Sequence, residues 1–181
     1  GVIGPWNYPF YTPMGSISYA LSAGNTILFK PSELSPGTAK WIEARWNEVC
    51  PKPVFQVVTG DRGTGAALVA AGVDKIAFTG STASAKRVMA AAAESLTPMV
   101  AECGGKDALI VAKDADLDQA ADFIAFGAFG NAGQTCVGVE RVYVEKPVRD
   151  ALVEKVVALA KALPLEGDDA KYGPMTLGTQ P

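Results

Sequence analysis

Lys75-Ile76-Ala77-Phe78-Thr79-Gly80-Ser81-Thr82 decides how this chain folds. Lys75 to Phe78 reads as a short strand, and Gly80-Ser81-Thr82 opens a helix that runs to about Glu94. The same strand-then-helix unit recurs on both sides. Gly1 to Ile3, Thr26 to Phe29, Val54 to Val58, the short buried strand ending at Glu102, Ala108 to Val111 and Arg141 to Val144 read as strands. Pro9 to Leu21, Gly37 to Cys50, the stretch after Gly63-Thr64-Gly65, and the segments opening at Asp116 and Pro147 read as helices. Repeated alternation of this kind requires parallel sheets with crossover helices, an α/β fold.

Apolar spacing places the helix faces. Ile42, Trp46, Val49 and Cys50 form a core stripe that Pro51 terminates, and Leu117, Ala120, Ala121, Ile124 and Ala128 form a second. Val148, Leu152, Val156, Leu159 and Leu163 mark a third, while Gln119 stands where a capping-box partner of Asp116 belongs. Gly167 to Pro181 reads as a loop, and no internal repeat interrupts the pattern.

Ligands of open α/β sheets gather at the carboxyl ends of the strands. Three segments lie there: Pro5-Trp6-Asn7, Lys30-Pro31-Ser32-Glu33 and Gly80-Ser81-Thr82. Unpaired N–H groups at the last of these, with the Ser81 hydroxyl, make a site for a pyrophosphate. Gly63-x-Gly65 is a weaker signal and is not the GxGxxG fingerprint.

A second feature is Gly130-Asn131-Ala132-Gly133-Gln134-Thr135-Cys136-Val137-Gly138. Its glycines permit unusual backbone angles and close approach to the main chain, which turns Cys136 into a candidate nucleophile. An ordinary thiol, with a pKa near about 8.5, needs a base or a lowered pKa at neutral pH. The chain has no histidine, so that base is a carboxylate, a lysine or a water held by one of them. Glu102, between the apolar run from Met99 and Gly104-Gly105, is the candidate. Cys50 and Cys103 read as buried free cysteines that act as small hydrophobes.

Composition sets outer limits. With 181 residues, 49% hydrophobic and 19% charged, the chain can bury a sizeable core in one to two domains. A net charge of −3 offers no basic footprint for nucleic acid. No apolar run has the length of a membrane span, and the first residues are not a signal peptide, so a membrane partner is not expected. Three cysteines without a CxxC pair point to a reducing compartment, the cytoplasm, and without histidine no metal site is expected.

Pro5-Trp6-Asn7-Tyr8-Pro9, Lys30-Pro31-Ser32-Glu33, Phe78-Thr79-Gly80-Ser81-Thr82, Glu102-x-Gly104-Gly105-Lys106 and Gly133-Gln134-Thr135-Cys136 occur in an order that resembles the NAD(P)-dependent aldehyde dehydrogenase superfamily. The resemblance implies a central piece of a longer protein. Residues 1–102 would be the C-terminal part of the NAD-binding domain and 103–181 the N-terminal part of the catalytic domain. It also implies oxidation of a small-molecule aldehyde to a carboxylic acid through a thiohemiacetal and a thioester on Cys136. Asn7, by itself a turn residue, would point its amide at the substrate oxygen, and Glu102 would activate the hydrolytic water.

Ile3, Pro5, Trp6, Lys30, Glu33, Gly63, Phe78, Gly80, Ser81 and Cys103 are the residues the resemblance places at the cofactor. An acid at position 33 repels a 2′-phosphate, so the expected cofactor is NAD in preference to NADP. Ala85 stands where the family often has a second glycine. A homo-oligomer is expected for the full-length protein. Two alternatives belong to other classes: a non-catalytic piece that binds nucleotide weakly or not at all, and an enzyme that passes the acyl group to coenzyme A.

Overall fold

Val2 and Ile3 form β1 (Val2–Ile3), a two-residue strand at the centre of a five-stranded sheet. Successive side chains of a strand face opposite sides, and Val2 enters one hydrophobic core while Ile3 enters another. The computed structural model describes residues 1–165 and 173–178, and the chain divides into two units, Gly1–Cys103 and Gly104–Pro181.

In unit 1, β1 is followed by α1 (Tyr11–Ser22), β2 (Ile27–Lys30), α2 (Pro36–Val49), β3 (Phe55–Val57), α3 (Arg62–Ala70), β4 (Ile76–Gly80), α4 (Thr82–Ala93) and β5 (Met99–Cys103). The strands lie in the order β3-β2-β1-β4-β5 and every pair is parallel. Val2 pairs with Phe29 and Ala77, and Ile3 with Lys30 and Phe78. Ile17 of α1 and Ala39 and Ile42 of α2 close one face over Phe29 and Phe55. Leu68 and Val69 of α3 and Ala85 and Ala92 of α4 close the other over Ile76 and Phe78.

Right-handed crossovers explain this division. The chain winds outward from β1 to β3 over one face, returns to β4 across the other, and continues outward to β5. Adjacent strands β1 and β4 therefore send their connections in opposite directions, which opens a crevice at their carboxyl ends.

Two expectations need correction. The strand that delivers Glu102 is not buried: Val100, Ala101 and Glu102 are exposed, because among the described residues β5 ends the sheet and pairs with β4 alone. The α2 stripe stops at Trp46, which packs on Phe55 with ring centroids 5.9 Å apart. Val49 is 80% exposed and Cys50 caps the helix end, since the three-residue edge strand β3 does not extend beneath the last turn.

The other edge of the sheet is plugged by a side chain. The Val57 N–H of β3 donates to Glu43 Oε1 at 2.7 Å, and the Lys40 ammonium donates to Glu43 Oε2 at 2.9 Å. Satisfying an edge N–H in this way removes a template for pairing with another chain.

Unit 2 contains β6 (Asp107–Val111), α5 (Leu117–Phe129), a 3-10 turn (Gly130–Gly133), β7 (Val139–Val144), a 3-10 turn (Lys146–Val148) and α6 (Arg149–Lys161). β6 and β7 pair in parallel with a register shift at Asp107/Ala108. Val111, Ala121, Ile124 and Leu152 are its buried core, with Leu117, Val156 and Leu159 partly buried against it. The Asp116 carboxylate accepts from the N–H groups of Asp118 and Gln119 and so caps α5. Pro147 lies in the 3-10 turn, and α6 begins at Arg149.

Of the expected loop Gly167 to Pro181, residues 173–178 contain neither helix nor strand, and the remainder lies outside the described residues. Among the described residues no helix is long and apolar enough to cross a membrane.

Burial alone would raise the Glu43 pKa, but the hydrogen bonds from Lys40 and the Val57 N–H outweigh it and hold the carboxyl below 4.5. A carboxyl with a depressed folded pKa contributes stability that is whole above its unfolded pKa and is lost as pH falls through the folded value. Glu43→Ala is expected to cost about 1–3 kcal/mol in urea unfolding near neutral pH. The difference from the parent chain should shrink below about pH 4; a pH-independent difference would exclude this role.

Candidate active site

β1 runs into Gly4-Pro5-Trp6-Asn7, and the Gly4 N–H extends the ladder by donating to the Lys30 carbonyl at 3.0 Å. A Cβ on Gly4 would come within 2.9 Å of the Phe29 ring, so the turn needs glycine there. Pro5 is buried, and Trp6 and Asn7 are half-buried. The Asn7 side-chain oxygen accepts the Tyr8 N–H at 3.1 Å, which orients its amide.

β2 ends at Lys30, whose side chain is 6% exposed and whose ammonium lies 3.5 Å from the Glu33 carboxylate. Ser32 Oγ accepts the Leu34 N–H at 3.3 Å and shapes the turn between them. The Glu33 backbone N–H, then the charges of Lys30 and Arg62, outweigh partial burial and hold the carboxyl below 4.5. Glu33 is thus a fixed negative charge at neutral pH. It is about half exposed, at 49%, and able to face a ligand hydroxyl.

The helix starts beyond β3 and β4 differ chemically. At α3 the Asp61 carboxylate accepts the Gly63 N–H at 2.8 Å, so this N–H is held by the chain's own anion. At α4 the neutral Ser81 hydroxyl accepts the Ser84 N–H at 3.3 Å. A helix N-terminus without an acid attracts an external anion more strongly than one already neutralised. Ala85, where a second glycine was anticipated, buries its methyl in the core beneath this helix.

β5 pairs Glu102 with Thr79 and Cys103 with Gly80. Cys103 packs against the core that holds Ile3 and Phe78, and Glu102 is exposed. One sheet edge therefore gathers Pro5, Trp6, Asn7, Lys30, Glu33, Gly63, Gly80, Ser81, Glu102 and Cys103, with Ile3 and Phe78 packed beneath it.

Cys136 belongs to unit 2, where it is exposed in the loop after α5. Asn131 (φ 53°, ψ 35°), Ala132 (φ 58°, ψ 32°) and Gly133 (φ 73°) are successive left-handed residues. For Ala132 that conformation costs about 1–2 kcal/mol. Asn131 Nδ2 donates to the Gln134 carbonyl at 3.3 Å, and Gln134 Nε2 donates to the Asn131 carbonyl at 3.0 Å. The Thr135 hydroxyl donates to the Gly130 carbonyl at 3.4 Å, and the Gly138 N–H to the Thr135 carbonyl at 3.2 Å. A Cβ on Gly105 would collide with the Asp107 carboxylate and lie 3.7 Å from the Cys136 carbonyl, so Gly105 passes beside the Cys136 main chain.

The sequence reading passed over Gln134, which is 8% exposed and accepts the Thr176 N–H at 2.7 Å through Oε1. Its position beside a glycine and two residues before Cys136 was the available signal, but its partner lies 42 residues away. Asp61 also went unremarked, although an Asp before a helical run is a capping signal. Among the described residues no group of His, Cys, Asp or Glu is arranged to hold a metal ion.

The sequence profile of the aldehyde dehydrogenase family matches residues 1–180. The chain belongs to the aldehyde dehydrogenase family. Among solved structures, this aldehyde dehydrogenase chain is similar to lactaldehyde dehydrogenase from Escherichia coli, with 35% identity and a TM-score of 0.93, over 98% of this chain and 39% of that one. The NAD-dependent aldehyde dehydrogenase from Sinorhizobium meliloti matches at 36% identity and a TM-score of 0.94, over 98% of this chain and 37% of its own. PnpE, determined in complex with nicotinamide adenine dinucleotide, matches at 38% identity and a TM-score of 0.92, over 97% and 37%. The chain thus spans less than two-fifths of the length of each of these solved proteins.

Replacing Ala132 by glycine removes the left-handed penalty and adds unfolded-state entropy, two effects of opposite sign. Ala132→Gly is expected to stabilise unit 2 by about 0.5–1 kcal/mol. Hydrogen-exchange protection of α5 and β7 checks this, and unchanged or lower protection would show the turn to be unstrained.

Proposed function

We propose that this chain carries the nucleophile and much of the dinucleotide site of an enzyme that oxidises an aldehyde to a carboxylic acid with NAD⁺. The observation that supports it most is an exposed Cys136 on a strained, hydrogen-bonded turn in a chain of this family. Unit 1 is then the cofactor-binding part and unit 2 the start of the catalytic part.

The residues at the sheet edge fit a dinucleotide. The serine-capped start of α4 suits a pyrophosphate, while buried Lys30 and ionised Glu33 suit the hydroxyls of an adenosine ribose. The Glu33 charge opposes a 2′-phosphate, which favours NAD over NADP. Trp6 and Pro5 would line the same cofactor.

The Cys136 thiolate forms a bond to the aldehyde carbon, and the carbonyl electron pair moves onto oxygen. The Asn7 amide and the Cys136 backbone N–H would donate hydrogen bonds to that oxyanion. When bound, the nicotinamide supplies a hydride acceptor, and loss of hydride from the same carbon leaves a thioester on Cys136. Glu102 would take a proton from water as its oxygen attacks the thioester, and the sulfur departs as thiolate.

Coenzyme A as acyl acceptor is the less favoured reading, because Glu102 stands at the water-activating position. Asn7 and Glu102 lie in unit 1 and Cys136 in unit 2, and the chain spans only 37–39% of the solved enzymes. A chain that binds nucleotide without turnover is therefore the second reading. The free cysteines agree with a cytoplasmic location, and a homo-oligomer follows from the family resemblance.

A single-turnover assay with NAD⁺ and a reactive aldehyde tests these roles. Cys136→Ser should abolish the burst of reduced nicotinamide, and Glu102→Gln should keep the burst but stall steady-state turnover. Asn7→Ala should slow the burst by about 100–1000-fold. Equal loss of burst and turnover in Glu102→Gln would contradict the water-activating role, and no burst in the parent chain, with order retained by circular dichroism, would favour the second reading.

The preference for NAD is tested separately at Glu33. Glu33→Gln should narrow the ratio of NAD to NADP affinity by about tenfold, the scale of one partly screened charge. An unchanged ratio in fluorescence titrations with the two cofactors would remove Glu33 from that role.

A further inference from the structure

We propose that Gln134 is a positioning residue for Cys136, a buried amide that ties the strained turn under the nucleophile to the segment 173–178; the proposal rests on the reading of Cys136 as the nucleophile. Gln134 uses both ends of its side chain. Nε2 donates to the carbonyl of Asn131, the first left-handed residue, at 3.0 Å, and Oε1 accepts the Thr176 N–H at 2.7 Å. A costly backbone conformation persists only where its surroundings over-determine it. Here one of the fastenings is a side chain 8% exposed, two positions before the thiol, and it reaches the far segment as well as the turn.

Without it, the turn keeps only part of its hydrogen bonding against relaxation towards right-handed angles, and any such relaxation redirects the Cys136 N–H and sulfur together. Reaction rates respond to displacements of this size by up to about 100-fold. Thr176 is exposed, so the far end of the tie can be altered without opening the core.

The test is the first turnover of 4-nitrophenyl acetate, which acylates a thiolate without any cofactor and releases a coloured phenolate. Gln134→Met should slow acylation by about 10–100-fold while the melting midpoint moves little. Thr176→Pro, which removes the N–H, should slow it in the same sense. Gln134→Glu supplies a pH readout: the neutral acid can donate to the Asn131 carbonyl and accept from Thr176, and the carboxylate cannot donate. Its rate relative to the parent chain should therefore rise as pH falls through that acid's pKa.

Unchanged acylation in Gln134→Met overturns the proposal, as does a loss no larger than its unfolded fraction. Should Gln134→Met fail to fold, Thr176→Pro decides alone, and an unchanged rate overturns the proposal. Cys136→Ser separates the two levels. Parent acylation no faster than in Cys136→Ser removes the nucleophile and the positioning role together, whereas loss in Cys136→Ser with full rate in Gln134→Met removes only the positioning role.

Discussion

The parallel ladder around Val2 and Ile3 is the constraint on which unit 1 depends. β1 is two residues long, yet it pairs with β2 on one side and β4 on the other and sends one side chain into each core. Parallel pairing forces every connection to return across a face, and right-handed crossover assigns α1 and α2 to one face and α3 and α4 to the other. All five strands then deliver their carboxyl ends to one edge. The polar residues that follow them meet there because the ladder leaves no other arrangement.

That edge is differentiated by small chemical choices at each strand end. Asp61 neutralises the start of α3, whereas Ser81 caps α4 without adding charge. Lys30 is buried to its ammonium and Glu33 stays ionised beside it, so one strand end presents a charged pair. Glycines at positions 4 and 80 stand where a Cβ would come within 2.9 Å of Phe29 and Phe78, which keeps the turns close to the sheet. The sheet supplies position, and on the proposed reading these substituents would sort anions from hydroxyls.

Unit 2 solves a different problem, the presentation of a thiol. An exposed cysteine on an ordinary loop would sample many directions. Here three consecutive left-handed residues and a buried glutamine restrict the main chain that leads to Cys136. The strain at Ala132 is offset by hydrogen bonds that a relaxed turn would lose, so conformation and network depend on each other.

Strand-helix alternation made the α/β class and the parallel pairing legible in the sequence, because crossover connections of that length admit few other solutions. Local signals also located Asp116 as a cap, the helix opening at Ser81 and the glycine-rich turn before Cys136. They failed where exposure depends on what lies alongside: Val49 continued a helical stripe past the end of β3, and β5 read as buried although it is an edge. Gln134 was illegible for a related reason, since its worth comes from Thr176, 42 residues further on. The sequence by itself determined which residues could do chemistry, because residue type and local turn propensity are properties of short stretches. Only the tertiary structure decided which edge gathers them, which helix start stays open to an anion, and what holds the thiol in place, because those depend on contacts between residues far apart in the chain.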